Sequence, residues 1–187
     1  MKKVLGLFAF IALLAGPSLA QTPKYEITLG PTFDRYTAPS GYYLDMVGWA
    51  ASGEYNWRRW IGAQIDASGD YSDKTLLGFT SIHRLMIGPE FFPFRHHKLT
   101  PWGHALFGEA YYRNTIPANG GFPSKVNSDV AFAWEAGLGV DLNIKKRWGV
   151  RMFEFDYDPT RFYNNKPSQP SYRISIAVIY RIGSRNK

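Results

Sequence analysis

The sequence contains no cysteine among its 187 residues. The fold must therefore hold together without disulfide bonds, and the chain cannot be anchored through a lipid on an N-terminal cysteine. Beyond the N-terminal region, the sequence also lacks any apolar run of about 20 residues, the length that a membrane-spanning helix requires. If this chain crosses a membrane, we expect it to do so without helices.

The N-terminal residues have the three parts of a secretory signal peptide. Lys2-Lys3 is basic, Val4–Ala15 is apolar, and Ser18-Leu19-Ala20 supplies the small residues of a cleavage site before Gln21. A transmembrane anchor is the poorer interpretation, because the apolar run is too short and ends at Gly16-Pro17. We predict a signal peptide over residues 1–20 and one folded domain over residues 21–187.

The charge balance is basic, with 22 Lys and Arg against 15 Asp and Glu. Loss of the signal peptide leaves a net charge of about +5. A basic chain can bind nucleic acid, but export and the lack of a recognition motif argue against nucleic acid as a partner. Aromatic residues make up 17% of the sequence, which is too many for a disordered chain.

The clearest pattern in the chain is the strict alternation near its C-terminus. Successive side chains of a β-strand point to opposite faces, so this segment has an apolar face and a face that carries Arg173 and Arg181. The apolar row consists of Tyr172, Ile174, Ile176, Val178, Tyr180 and Ile182.

The same alternation recurs along the chain and predicts eight amphipathic strands. The segments are 25–34, 47–57, 61–68, 84–91, 101–113, 131–143, 148–157 and 171–183. In the seventh segment, Arg151 falls on one face while Glu154 and Asp156 fall on the other. A bulge near Phe153, or a strand that leaves the membrane by Glu154, reconciles them.

The connections between these segments alternate in length. Arg58-Arg59 and Ile144–Arg147 are tight and Pro93–Thr100 is intermediate, whereas residues 37–44, 72–79, 114–129 and 158–170 form longer loops. Outer-membrane barrels are connected in this way, with short periplasmic turns and long external loops. We predict an all-β fold, an eight-stranded antiparallel up-and-down transmembrane β-barrel, with both termini in the periplasm.

Size decides which face of the barrel is outside. Eight strands enclose a lumen that side chains or one small ligand can fill. Large side chains such as Trp49 and Trp134 could not share that space, so the apolar rows face lipid and the barrel must close to satisfy its edges. The alternative is a soluble periplasmic lipocalin-like barrel with the apolar rows inside.

Aromatic residues gather at both ends of the predicted strands, where interface girdles form in membrane barrels. At the short-turn end, the predicted girdle consists of Tyr55, Trp57, Trp60, Trp102, Trp148 and Tyr180. At the long-loop end lie Tyr36, Tyr42, Tyr43, Tyr71, Tyr111, Tyr112, Tyr157 and Tyr172.

The inward row is predicted to carry a network of ionised side chains, because charges in a narrow lumen must pair. Its members are Glu26, Glu54, Asp66, Arg84, Glu90, Glu109, Glu135, Asp141, Arg151, Arg173 and Arg181. We interpret this network as a structural plug. A small ion-conducting pore that these pairs gate is the alternative.

Two internal motifs and the last strand resemble those of a known family. I-G-P-E-F at Ile87–Phe91, D-Y-D-P-T-R-F at Asp156–Phe162 and the strand at residues 173–183 are similar to the small OmpA-like, opacity-type outer-membrane β-barrels, in their barrel-only form. The resemblance implies residence in the bacterial outer membrane among its lipids, and a last strand that the barrel-assembly machinery reads. The apolar row here ends at Ile182 rather than at the usual terminal aromatic residue.

The function predicted from these features is structural or surface-interacting, with the long loops, such as residues 119–123, as binding sites for an extracellular partner.

Ser81 and His83 share a strand face and raise the alternative of a lipid A-modifying enzyme, but a Ser-His spacing alone is common. His96-His97 lacks further metal ligands. We predict no catalytic, cofactor-binding or metal residues and no cofactor. The basic residues of the short turns are expected to meet anionic headgroups. They are Arg58, Arg59, Arg95, Lys98, Lys145, Lys146 and Arg147.

Overall fold

The computed structural model describes residues 22–38, 41–74, 78–95, 98–118, 124–163 and 168–184, and the predicted signal peptide lies outside them. These residues form eight strands. They are β1 (Pro23–Thr37), β2 (Tyr43–Asn56), β3 (Ile61–Lys74), β4 (Gly78–Phe91), β5 (Leu99–Ile116), β6 (Lys125–Asn143), β7 (Trp148–Thr160) and β8 (Gln169–Ser184). Among these residues we find no helix with the length and hydrophobicity of a membrane span.

Each strand pairs antiparallel with the next, and β8 returns to pair with β1, so that the sheet closes into a barrel. The closing register places Glu26 opposite Arg181 and Asp34 opposite Arg173. Closure leaves no strand edge with unsatisfied amide groups, which is the condition for a sheet in hydrocarbon. The prediction of an eight-stranded antiparallel barrel is confirmed.

The apolar rows lie on the outer wall of the barrel. Trp49 and Trp134, the two residues whose orientation separates the membrane barrel from the soluble one, are 41% and 39% exposed. Ile176, in the middle of β8, is 56% exposed while Arg173 is buried. This orientation is the reverse of a soluble barrel with an apolar lumen.

A β-bulge interrupts the alternation of β7, which is one of the two explanations that the sequence leaves open. The register of β7 shifts against both of its neighbours, and Met152 and Phe153 both point outward. Arg151 before the bulge and Glu154 after it therefore face the lumen together.

The strands are longer at the loop end than the sequence predicts. The connections there span only residues 38–42, 75–77, 117–124 and 161–168, while the turns at the other end span residues 57–60, 92–98 and 144–147. Backbone pairing continues beyond the apolar segment, for example between Thr115 and Val126. Pairing needs only backbone amides in register, so polar side chains do not end a strand where they end the apolar row. The four predicted loops are therefore shorter than the sequence suggests, although 117–124 and 161–168 remain the longest of these connections.

Most of the predicted girdle at the turn end lies on the outer wall. Trp57, Trp60 and Trp148 are about half exposed, and Tyr180 contacts Trp148 with a ring separation of 4.8 Å. Trp102 is an exception, because it is 3% exposed and lies inside the barrel. Two aromatic residues of the loop end, Tyr36 and Tyr112, are also buried inside it.

Candidate functional site: the charged lumen

The interior of the barrel holds most of the acidic residues of the chain. Among the described residues, eleven buried carboxylates share the interior with five buried arginines. The carboxylates are Glu26, Asp34, Glu54, Asp66, Asp70, Glu90, Glu135, Asp141, Glu154, Asp156 and Asp158, and the arginines are Arg84, Arg95, Arg151, Arg173 and Arg181. Taken in order along the lumen, the arginines organise four clusters.

The Arg84 cluster lies at the loop end. The guanidinium of Arg84 donates to Asp70 at 2.6 Å and to Asp34 at 2.8 Å, and it also contacts Asp158. Ser171, across the barrel seam on β8, accepts a further hydrogen bond from Arg84 at 3.3 Å. One arginine thus ties together five strands, β1, β3, β4, β7 and β8.

The Arg173 cluster comes next. Arg173 donates through one terminal nitrogen to Glu135 at 2.7 Å and through Nε to Asp156 at 3.1 Å. Its other terminal nitrogen donates to Ser68 at 2.8 Å. His104 lies on the opposite side of the same two carboxylates, with Nε2 at 3.2 Å from an oxygen of each.

The Arg151 cluster is built around the bulge. Arg151 lies at 3.0 Å from Asp141, 3.1 Å from Glu54, 3.4 Å from Glu154 and 3.6 Å from Glu90. Trp102 packs its ring against the guanidinium of Arg151, 3.8 Å from the ring centroid, and donates from Nε1 to Asp141 at 2.8 Å. A tryptophan that the sequence assigns to the girdle is therefore part of the plug, because its indole covers the most highly coordinated charge.

The fourth cluster closes the turn end. Arg181 donates to Glu26 at 2.8 Å, and Arg95 contacts the same carboxylate from the turn between β4 and β5. Arg95 also donates to Asn56 at 2.6 Å and stacks on Phe92 at 3.5 Å. The sequence suggests that Arg95 faces headgroups with the other basic residues of the turns. In the structure Arg95 is buried in the lumen instead.

An apolar cluster fills the loop end beside the Arg84 cluster. Tyr36, Phe162 and Tyr112 pack ring against ring, with centroids 5.3 to 6.4 Å apart. Met46 and Ile82 are buried in the same cluster. A small cavity in the described lumen, next to Asp66 and Glu154, has room for about one water molecule. Side chains of the described residues thus occupy the lumen from the apolar cluster to the turn end.

Ten of the eleven predicted lumen residues face the interior, and Glu109 does not. Glu109 is exposed on the outer wall, opposite Leu85 on β4 and Phe132 on β6. Residues 101–113 alternate in size more than in polarity, so the charge at Glu109 indicated the wrong face. The pattern predicts that the odd positions of this segment face the lumen, whereas the even positions do. For the same reason, Trp102 and His104 lie inside the barrel and not on its wall.

The pattern of the sequence does not identify six further charged members of the lumen, namely Asp34, Asp70, Arg95, Glu154, Asp156 and Asp158. All but Arg95 occupy positions of the inward alternation, once the bulge in β7 is placed. Strict alternation finds Asp34, Glu154 and Asp156 within the predicted segments, and its continuation past residues 68 and 157 finds Asp70 and Asp158. Nothing local predicts Arg95, because a turn residue has no alternation to follow.

The remaining candidates lie elsewhere. Ser81 and His83 lie on the outward-facing row of β4, and His83 packs edge-on against Tyr71 at 5.5 Å. His96-His97 and the loop residues 119–123 lie outside the described residues. The lumen is therefore the best-defined candidate site of the described chain.

No family model matches the sequence, and no curated protein sequence matches it significantly. Solved structures are similar to it in fold. Neisserial surface protein A has 9% identity and a TM-score of 0.72, and the match covers 85% of this chain and 97% of that one. Ail of Yersinia pestis, in complex with the heparin analogue sucrose octasulfate, has 16% identity and a TM-score of 0.60 over 84% and 97% of the two chains. OprG of Pseudomonas aeruginosa has 12% identity and a TM-score of 0.51 over 88% and 98%.

The chain has the fold of the small outer-membrane barrels. The match extends over nearly the whole length of each neighbour, so the eight strands account for the full barrel in those proteins as well. The resemblance that the sequence motifs indicate is thereby confirmed at the level of fold.

Proposed function

We propose that this chain is an integral outer-membrane barrel with a closed lumen, and that it acts through its wall and its loop end rather than by transport. The filling of the lumen by four arginine clusters and one apolar cluster carries this proposal. An outer wall of exposed apolar residues between two aromatic zones favours residence in a bilayer. Two neighbours bear the names surface protein and attachment invasion locus protein, which agrees with a role at the cell surface.

The closed lumen predicts negligible ion conductance. Any ion that crosses the barrel must displace Arg173, Arg151 and their carboxylates, and each of these side chains is almost completely buried. Separating a buried ion pair costs about 3–5 kcal/mol, and the pairs lie in series. The purified protein in planar bilayers should therefore show no stable single-channel steps, with a wide porin in the same bilayer as positive control. Large, stable steps would refute the closed lumen and favour the small-pore alternative.

Heat-modifiable migration on gels tests the membrane barrel separately from the plug. A folded barrel extracted from membranes should migrate differently before and after boiling, and whole-cell proteolysis should cut only at the loop end. A protein that stays soluble without detergent would contradict the membrane assignment even if it conducted no ions. The two failures are therefore distinguishable.

The turn end offers a surface for anionic headgroups. Arg58, Arg59, Lys145, Lys146 and Arg147 are exposed in the turns 57–60 and 144–147. Basic residues near an anionic surface contribute about 1 kcal/mol each. Neutralising four of them should slow folding into anionic vesicles more than into zwitterionic vesicles. Equal folding in both would remove the headgroup contact from the proposal.

The last strand is the proposed signal for the barrel-assembly machinery. Its row from Tyr172 to Ile182 faces outward along β8, where a recognising partner could reach it before closure against β1. Replacement of Ile182 by Asp should lower the yield of folded barrel in cells while the purified variant still folds in detergent. An unchanged yield in cells would contradict this role.

A further inference from the structure

Three ligand-type atoms from three strands converge inside the Arg173 cluster. Nε2 of His104 on β5 lies 3.2 Å from Oε1 of Glu135 on β6 and 3.2 Å from Oδ1 of Asp156 on β7. The three atoms lie within 4.8 Å of one another, and all three side chains are buried. In the described part of the chain, none of the three atoms has a hydrogen-bond partner.

The other polar atoms of these residues are held by neighbours. Arg173 donates to Oε2 of Glu135 at 2.7 Å and to Oδ2 of Asp156 at 3.1 Å, so that only Oε1 and Oδ1 turn towards His104. Nδ1 of His104 lies 3.0 Å from Oε1 of Gln64. An amide oxygen can only accept, so Nδ1 donates and a neutral imidazole directs its Nε2 lone pair at the two carboxylate oxygens.

This arrangement is repulsive unless a positive charge lies between the three atoms. Two negative oxygens and a nitrogen lone pair meet in a lumen where carboxylates outnumber arginines. A backbone position next to them is kept clear, because Gly137 on β6 has no side chain. A Cβ at residue 137 would lie 2.0 Å from Oδ1 of Asp156 and 2.3 Å from Nε2 of His104.

We propose that His104, Glu135 and Asp156 bind a divalent transition-metal ion, with Zn²⁺ as the best fit. Zinc binds imidazole nitrogen and carboxylate oxygen at about 2.0–2.2 Å, which places tetrahedral ligands about 3.3–3.5 Å apart. The observed separations of 3.2 Å from Nε2 to each oxygen are close to that value. Three protein ligands leave a fourth position for water.

The neighbouring side chains support the three proposed ligands with hydrogen bonds, as they do in metal sites. A ligating histidine usually donates its other nitrogen to an oxygen, and ligating carboxylates are themselves hydrogen-bonded. Gln64 lies next to the other nitrogen of His104, and Arg173 donates hydrogen bonds to both carboxylates. The metal would join β5, β6 and β7, and with Arg173 it would also join β8, so we expect it to rigidify this side of the barrel.

A proton can occupy the same place, with His104 as an imidazolium between the two carboxylates. Metal binding separates the two cases, because only the metal gives a stoichiometric, element-specific signal. The protein has four histidines, and His83, His96 and His97 could bind zinc adventitiously. The test therefore uses the mature chain with these three residues changed to Asn, so that His104 is the sole histidine.

This chain is folded in detergent with Zn²⁺, desalted and analysed for metal by mass spectrometry. We expect one zinc per chain, and folding with Co²⁺ should give the visible absorption of a tetrahedral site. Asp156→Asn should retain no zinc, while Asp70→Asn, the same change in the Arg84 cluster, should retain it. Absence of zinc from the parent chain, or equal retention in both variants, would overturn the metal site and leave the imidazolium in its place.

Two gentler variants keep the test decisive if Asp156→Asn fails to fold. Gln64→Leu removes only the support of the ligand His104, and it should weaken zinc binding about tenfold to a hundredfold. Gly137→Ala leaves every ligand present but places a methyl group against two of them. Unchanged zinc affinity in both variants would show that the metal binds elsewhere.

Discussion

Replacement of Arg151 by Met would test whether the ion-pair clusters hold the barrel together. Methionine keeps much of the length and apolar volume of the side chain but removes the guanidinium. Four carboxylates, those of Glu54, Glu90, Asp141 and Glu154, lie within 3.6 Å of that group and would lose their common counter-charge.

The expected loss is large because Arg151 is 1% exposed and its partners are buried with it. Removal of one partner from a buried ion pair costs about 3–5 kcal/mol, since the remaining charge stays in a medium that solvates it poorly. The indole of Trp102 also loses the cation that it covers. We therefore expect a loss of at least about 3 kcal/mol in the free energy of unfolding.

The assay is urea unfolding of the protein folded in zwitterionic lipid vesicles, where Arg58 has no anionic headgroup to contact, followed by tryptophan fluorescence and by the gel migration of the folded form. Arg58→Met, the same change in an exposed turn, is the matched control and should alter stability by less than about 0.5 kcal/mol. Acid should reduce the loss in Arg151→Met, because protonated carboxylates need no counter-charge.

A loss below about 1 kcal/mol would refute the reasoning, since that is the range of an exposed ion pair. A loss that does not shrink in acid would also contradict it, because the cost would then come from packing and not from uncompensated charge.

Three further outcomes follow from the same geometry. Glu90→Gln should leave stability unchanged or raise it by about 1 kcal/mol in the same urea assay. Both oxygens of this fully buried carboxylate lack hydrogen-bond partners in the described structure, and a neutral amide relieves the excess negative charge of the lumen. A loss of stability above about 1 kcal/mol would contradict that excess of negative charge. Ile176→Arg, in the middle of the outer wall of β8, should lower the free energy of unfolding in vesicles by about 2–4 kcal/mol. Val126→Arg, near the loop end, should lower it by at most about 1 kcal/mol. Equal losses would argue against a bilayer around the wall. In single-tryptophan variants, brominated lipids should quench Trp134, which is 39% exposed on the wall, and leave Trp102, which is 3% exposed, largely unquenched; equal quenching would place Trp102 on the wall.

The errors of sequence reasoning fall where alternation is weak. In β5, glycine and alanine separate the larger residues, so the pattern predicts Glu109 in the lumen and Trp102 in the girdle, the reverse of the structure. The apolar rows end before the strands do, so the pattern predicts loops where residues such as Thr115 still pair. In β7, by contrast, the conflict between Arg151 and Glu154 was itself the signal of the bulge.

The sequence predicts an eight-stranded barrel whose apolar rows face outward, because parity separates the two faces of each strand and the narrow lumen leaves no room for the large apolar side chains. Which charges meet in the lumen depends on the three-dimensional fold. Tyr36 donates to Gln169 across 133 residues, and Arg84 reaches Ser171 across 87, since closure and strand tilt set which inward side chains share a level of the lumen. The convergence of His104, Glu135 and Asp156 depends on the same cross-barrel geometry, and no local pattern in the sequence encodes it.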